Sequence, residues 1–134
     1  MSETLTASDR SSFVNFMNNT AKIVFSKTLA KADWNNTKIF REVNRYDIDQ
    51  LKCGSGGDIL IYGSGTIVSQ LAKLDLIDEY ALMLYPIVLG SGRPLFPNTS
   101  DRIKLDLIST KRYSCGSNLH IFSPYNTITI KNSD

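Results

Sequence analysis

The chain has 134 residues, enough for one hydrophobic core and too few for two comfortable ones. With 42% apolar residues, 21% charged residues and a net charge of +2, it reads as neither disordered nor collagen-like, and it carries no basic footprint for nucleic acid. No apolar run approaches the roughly 18 to 20 residues that span a bilayer, and the first ten residues lack the basic-then-apolar order of a secretory signal. Cys53 and Cys115 stand far apart without metal-type spacing, as ordinary thiols of a reducing compartment do, so a cytoplasmic protein is expected.

Residues 1–134 read as a single domain, with 1–11 polar and expected to be disordered. Over 12–19, Phe13, Phe16 and Met17 recur at helical spacing. Residues 21–25 are β-branched and aromatic, hence a strand, followed by the polar Ser26, Lys27 and Thr28. A loop through Trp34, expected to be a packing residue, leads to a second short strand over 37–43. Residues 47–52 read as a helix stopped by Gly54, Gly56 and Gly57.

Residues 58–62 form a short continuous apolar run, the pattern of a strand covered on both faces. After Gly63, Ser64 and Gly65, a helix is expected over 66–74, with Ile67, Val68, Leu71 and Leu74 on its apolar face and Ser69, Gln70 and Lys73 opposite. Residues 80–89 are the longest apolar run and read as another doubly covered strand. Two such strands flanking one helix predict a β-α-β unit with parallel strands. Residues 102–108 and 118–122 alternate polar with apolar around a turn at 114–117, an antiparallel hairpin. A last alternating stretch, 125–131, suits an edge strand or a tail. The class is α/β with a mixed sheet.

Tyr62, Gly63, Ser64, Gly65 and Thr66 place glycines between a strand and a helix start. The first amides of such a helix lack partners and its dipole is positive there, so a phosphate can be held close to backbone without Cβ atoms. The plain alternative is a tight turn. Val68 occupies the last glycine position of G-x-G-x-x-G, which disfavours an ordinary dinucleotide fold. Ser26, Lys27 and Thr28 present two hydroxyls and an ammonium suited to a phosphate monoester such as the 2′-phosphate of NADP, or form a solvated strand end. Arg93, in the glycine-rich stretch 89–97, is an anion contact if it points inward. His120, the only histidine, reads as an edge-strand residue. No cluster has metal-ligand spacing, so no metal is expected.

The order of the pieces is more specific than any one of them. Residues 22–29, 32–36, 57–68, 76–80 and 85–96 together resemble the dihydrofolate-reductase-like superfamily, in the branch similar to the reductase domain of riboflavin-biosynthesis enzymes (RibD C-terminal-like). The resemblance implies a three-layer mixed sheet with flanking helices and a C-terminal antiparallel hairpin. It further implies NADPH as cofactor, with Ser26, Lys27 and Thr28 facing the 2′-phosphate and Tyr62, Gly63, Ser64, Gly65, Thr66 and Ile67 holding the pyrophosphate.

The activity implied is hydride transfer to a small pyrimidine- or pterin-like substrate, as in 5-amino-6-(5-phosphoribosylamino)uracil reductase. Against the family pattern the chain reads as N-terminally truncated, since no front strand and helix precede residue 12. Catalytic residues therefore go unassigned. The alternative is a non-catalytic module that associates, as a homo-oligomer such as a dimer, through strand edges left open.

Overall fold

The computed structural model describes residues 7–97 and 101–125. They belong to two compact units, Met1–Gly54 and Ser55–Asp134, each with its own sheet.

In the first unit, helix α1 (Ala7–Asn19) is followed by strand β1 (Lys22–Phe25), strand β2 (Thr37–Phe40) and helix α2 (Arg45–Cys53). The helix already begins at Ala7, so the loose N-terminus expected from composition does not hold over 7–11. Its C-terminal carbonyls are collected by one ammonium: Lys22 Nζ donates to Met17 O (2.8 Å), Thr20 O (2.8 Å) and Asn18 O (3.3 Å), a cation placed at the negative end of the helix dipole. Trp34 is half exposed rather than a core residue. Its Nε1 donates to Asn18 Oδ1 at 2.9 Å and its ring lies 4.8 Å from Lys22 Nζ, so it fastens the loop to the helix end.

β1 and β2 pair in parallel from Lys22↔Thr37 to Phe25↔Phe40, and the last pair brings the two phenyl rings to 5.8 Å. Asn36, with φ 55°, makes the left-handed turn into β2, which asparagine tolerates better than most residues. α2 is capped by Asn44, whose side chain accepts from Asp47 N at 2.9 Å. It buries Ile48.

In the second unit, helix α3 (Gly65–Lys73) precedes strands β3 (Tyr80–Leu84), β4 (Leu105–Arg112) and β5 (Asn118–Pro124). α3 ends in a Schellman arrangement: Leu76 N donates to Leu71 O (3.0 Å), and Asp75 N, at φ 52°, donates to Ala72 O (3.1 Å). Leu71, Ala72, Leu76, Ile77 and Tyr80 make the buried core. The helix face turned inward also includes Ser69, 4% exposed, which its sequence placed on the polar side. The reason is spacing: Gly65, Ser69 and Ala72 are small residues at i, i+4 and i+7, and together they form a closely packed stripe.

The sheet order is β3-β5-β4, all antiparallel. β4 and β5 are the expected hairpin, closed by Gly116 at φ 90° and bonds from Tyr113 N to Ser117 O and from Gly116 N to Tyr113 O. Of the last alternating stretch, only Tyr125 is described, donating its amide to Lys104 O; the rest lies outside the described residues.

The class is α/β with parallel and antiparallel pairing, but the pairing is divided between two sheets instead of one mixed sheet. The expected β-α-β unit is not formed. Among the described residues, 58–62 join no ladder, and β3 stops at Leu84, with 85–89 irregular. An apolar run identifies a segment that wants burial; it does not say which neighbour supplies the hydrogen bonds. Here Ile61 and the β3 residues Ala81 and Leu82 line the same apolar cleft of about 150 Å³, with Val68 and Ile77.

Candidate functional site

The glycine turn leads from the apolar 58–62 run into α3. Gly63 has φ 115°, a conformation that L side chains rarely adopt, and the Gly63–Ser64 peptide is cis. Ser64 is the N-cap in extended geometry, yet its side chain makes no capping bond and the first turn holds no acidic residue. Ser64 O accepts from Ile67 N (3.0 Å) and Val68 N (3.1 Å). The amides of Gly65 and Thr66 precede these bonds and stand at the positive end of the dipole, where an anion is favoured. Tyr62, Ser64 and Thr66 are exposed, whereas Gly65 and Ile67 are half-buried.

Gly65 is hemmed in from one side. A Cβ there would stand 2.8 Å from Leu95 O and 3.2 Å from Pro97 Cδ, so the 95–97 segment lies against the helix start. The glycine-rich stretch thus takes part through Leu95 and Pro97, which sequence reasoning did not single out. Arg93, the residue it did single out, is exposed.

The second predicted cluster belongs to the first unit. β1 ends at Phe25, and Ser26 continues its pairing by donating from N to Phe40 O at 2.9 Å. Ser26 Oγ then accepts from Leu29 N (3.1 Å), folding 26–29 into a tight loop with Lys27 and Thr28 exposed. Arg41, the residue after β2, donates through Nη1 to Leu29 O (2.7 Å) and Ser26 O (3.1 Å). Sequence reasoning put Arg41 inside a strand; the earlier end of β2 at Phe40 frees it for the loop.

His120 stays in the sheet, with Nδ1 3.0 Å from Thr110 Oγ1 on the neighbouring strand. Tyr80, 6% exposed, has its phenol raised above the usual range, first by burial and then by the Asp75 carboxylate. It lines both the 150 Å³ cleft and a second apolar one of about 160 Å³ with Phe96, Ile103 and Leu105. Both are smaller than the roughly 300 Å³ of an ordinary ligand pocket. Among the described residues no group of His, Cys, Asp and Glu is disposed to hold a metal ion, and no helix is long and apolar enough to cross a membrane.

The profile of the family described as RibD C-terminal domain matches residues 2–119. Two Bacillus subtilis (strain 168) proteins of unassigned function are similar in sequence. YyaP is 37% identical over 99 residues, covering 71% of this chain and 50% of its own length. YwjB is 39% identical over 71 residues, covering 53% of this chain and 41% of its own. The chain therefore spans about half the length of the curated relatives it matches.

Among solved structures, a protein provisionally assigned to riboflavin biosynthesis from Shewanella sp. PV-4 superimposes with a TM-score of 0.70 at 19% identity, over 90% of this chain and 71% of that one. A pyrimidine reductase-like protein from Corynebacterium diphtheriae gives 0.55 at 21% identity, over 67% of this chain and 39% of that one. At such identities the shared property is the fold.

Proposed function

From the premise that the chain belongs to the RibD C-terminal domain family, we propose that it is an NADPH-binding module of reductase type. The observation that carries the reading is the start of α3: a nine-residue helix whose N-cap side chain makes no capping bond, preceded by Gly63 in a left-handed conformation and free of first-turn acids. That arrangement suits a pyrophosphate, held by the Gly65 and Thr66 amides with the Ser64 and Thr66 hydroxyls beside them. In the first unit, Ser26, Lys27 and Thr28 are assigned to the 2′-phosphate that distinguishes NADPH from NADH. The cofactor, when bound, supplies a hydride, and the acceptor class is a small pyrimidine- or pterin-like molecule. A cytoplasmic location goes with this reading.

Calorimetric titration with NADPH and NADH tests it. NADPH is expected to bind more tightly, and Lys27→Ala to remove the preference. No heat from either cofactor at millimolar concentration would refute the assignment, and binding without turnover on a panel of pyrimidine and pterin acceptors would limit the chain to the cofactor half of the reaction.

A second reading, a non-catalytic module that pairs with another copy of itself, is favoured by one observation. Leu60 and Tyr62 are 60% and 66% exposed and Val88 95%, in two segments without a ladder partner among the described residues, where β3 is paired only to β5. Each Leu, Ile or Val buried by pairing contributes about 1.5–3 kcal/mol, and strand edges of this kind recruit other strands. Light scattering after size exclusion is expected to give a dimer; a monomer at high micromolar concentration would dismiss it.

A further inference from the structure

We infer that Arg41 is the residue that holds the 26–29 loop in its phosphate-binding form and adds the second cation to it, so that Arg41 and Lys27 together set the preference for a 2′-phosphomonoester. The inference rests on the NADPH reading above and deepens it.

Three observations lead there. The first is position. Phe25 and Phe40 are register partners at the ends of two parallel strands, so the residues that follow, Ser26 and Arg41, leave the sheet side by side at the same end. In parallel strands this is the end where the backbone turns away and side chains converge on what lies beyond it.

The second is the bonding. A single nitrogen of Arg41, Nη1, donates to the carbonyls of Ser26 and Leu29, the first and last residues of the loop. The bond from Leu29 N to Ser26 Oγ closes the same loop from within. Lys27 and Thr28 are thereby fixed as its exposed tip. A guanidinium has five N–H donors in a rigid plane. The clamp engages Nη1 alone, so Nε and Nη2 carry donors on the other edge of the same plane, the edge by which arginine takes phosphate in bidentate fashion.

The third is charge. Lys27 stands on the four-residue loop and Arg41 clamps it from the end of β2, and among the described residues neither is in an ion pair with a carboxylate. The ion pair nearby, Lys31–Asp33 at 3.4 Å, uses a different lysine and is fully solvated. Two cations at one sheet end attract a dianionic phosphate monoester more strongly than one does. A sheet-end loop needing only mechanical support would be served as well by a neutral donor at position 41.

The experiment is a titration of the full chain, in the wild type and in the Arg41→Ala, Arg41→Gln and Arg41→Lys variants, with four probes: NADPH, NADH, adenosine 2′,5′-bisphosphate and 5′-AMP. Circular dichroism confirms folding. The expected result for Arg41→Ala and Arg41→Gln is a loss of about tenfold or more in affinity for NADPH and the bisphosphate. NADH and 5′-AMP affinities stay within about twofold. Arg41→Lys recovers part of the loss, and the Ala and Gln variants show a weaker salt dependence of NADPH binding, because one screened charge has gone.

If Arg41→Gln keeps the wild-type NADPH:NADH ratio, or if Arg41→Ala weakens all four probes equally, the inference is overturned while the cofactor reading stands. If the wild type binds none of the probes, both fall together. A neutral variant that fails to fold is replaced by Arg41→Met, for which an unchanged NADPH:NADH ratio together with an unchanged salt slope overturns the charge-specific role.

Discussion

Gly65→Ala separates packing from propensity at the helix start. By propensity alone the substitution is favourable, since alanine exceeds glycine in a helix by up to about 1 kcal/mol. The surroundings oppose it. The new Cβ would stand 2.8 Å from Leu95 O and 3.2 Å from Pro97 Cδ, where carbon contacts settle at about 3.5–4.0 Å. The nearer atom belongs to the backbone and cannot swing aside, so either the first turn of α3 or the 95–97 segment must move. Overpacking of this kind costs about 1–3 kcal/mol, which leaves a net loss of about 0–2 kcal/mol.

Urea unfolding followed by circular dichroism measures it, with Gly57→Ala as the control. Gly57 has nothing within 4 Å of its would-be Cβ and is not left-handed, so that variant should be neutral or gain about 0.4–1 kcal/mol through the unfolded chain. Gly65→Ala as stable as the control would refute the close approach of Leu95 to the helix start. Pyrophosphate binding at the Gly65 amide should weaken in the same variant, since the amide moves with its residue.

Two further predictions concern the core of the second unit. Ser69 Oγ is buried without a hydrogen-bond partner among the described residues, so Ser69→Ala should raise stability by about 1 kcal/mol through removal of a desolvated hydroxyl and a better helix former; a lower Tm would count against it. The Tyr80 phenol is raised by burial and by Asp75, so the unfolded chain releases this proton near pH 10 while the fold retains it to higher pH. The stabilisation is complete below about pH 10 and is lost as pH rises through the folded value. Urea midpoints measured at about pH 9 and about pH 11 should therefore fall more in the wild type than in Tyr80→Phe, and equal falls would remove Tyr80 as the cause.

Periodicity served well where an element answers only to itself or to its sequence neighbour. The α3 pattern and the β4–β5 hairpin were legible because a 3.6-residue repeat and a glycine turn between alternating runs are local signals. Residues 58–62 and 80–89 were legible as segments that want burial, but a ladder is a property of two chains of atoms, and the pairing of β3 with β5 instead of 58–62 lies in no local pattern. The loop at Ser26 was visible as a cluster of phosphate-binding residue types. Arg41 was not, because a strand pattern over 37–43 continues smoothly through it, and only the end of β2 at Phe40 turns it toward the Ser26 and Leu29 carbonyls. Gly65 was visible as a glycine, whereas the atom that requires it, Leu95 O, is thirty residues away.

The two nine-residue helices show how differently one chain treats a helix start. α2 has Asn44 accepting from Asp47 N, an acidic first turn, and a return bond from Asn44 Nδ2 to Asp47 Oδ2 at 2.6 Å. α3 has Ser64 without a capping bond, no acid and a glycine at its first position. A cap contributes about 1 kcal/mol and a first-turn acid about 0.3–1 kcal/mol; α3 forgoes both, and its stability comes from the Schellman close and the burial of Leu71 and Ala72 at the other end. A start left open in this way is what a phosphate requires.

Ser64→Asp converts the trade into a measurement. Its carboxylate should accept from the first-turn amides and raise stability by about 1 kcal/mol, while its charge occupies the place proposed for the pyrophosphate and should weaken NADPH binding at least tenfold. Both quantities are read on one variant, by urea unfolding and by calorimetry. A gain in stability with unchanged NADPH affinity would remove the pyrophosphate from this helix start, and a loss of stability would mean that the Thr66 and Ile67 amides are not available to a cap at all.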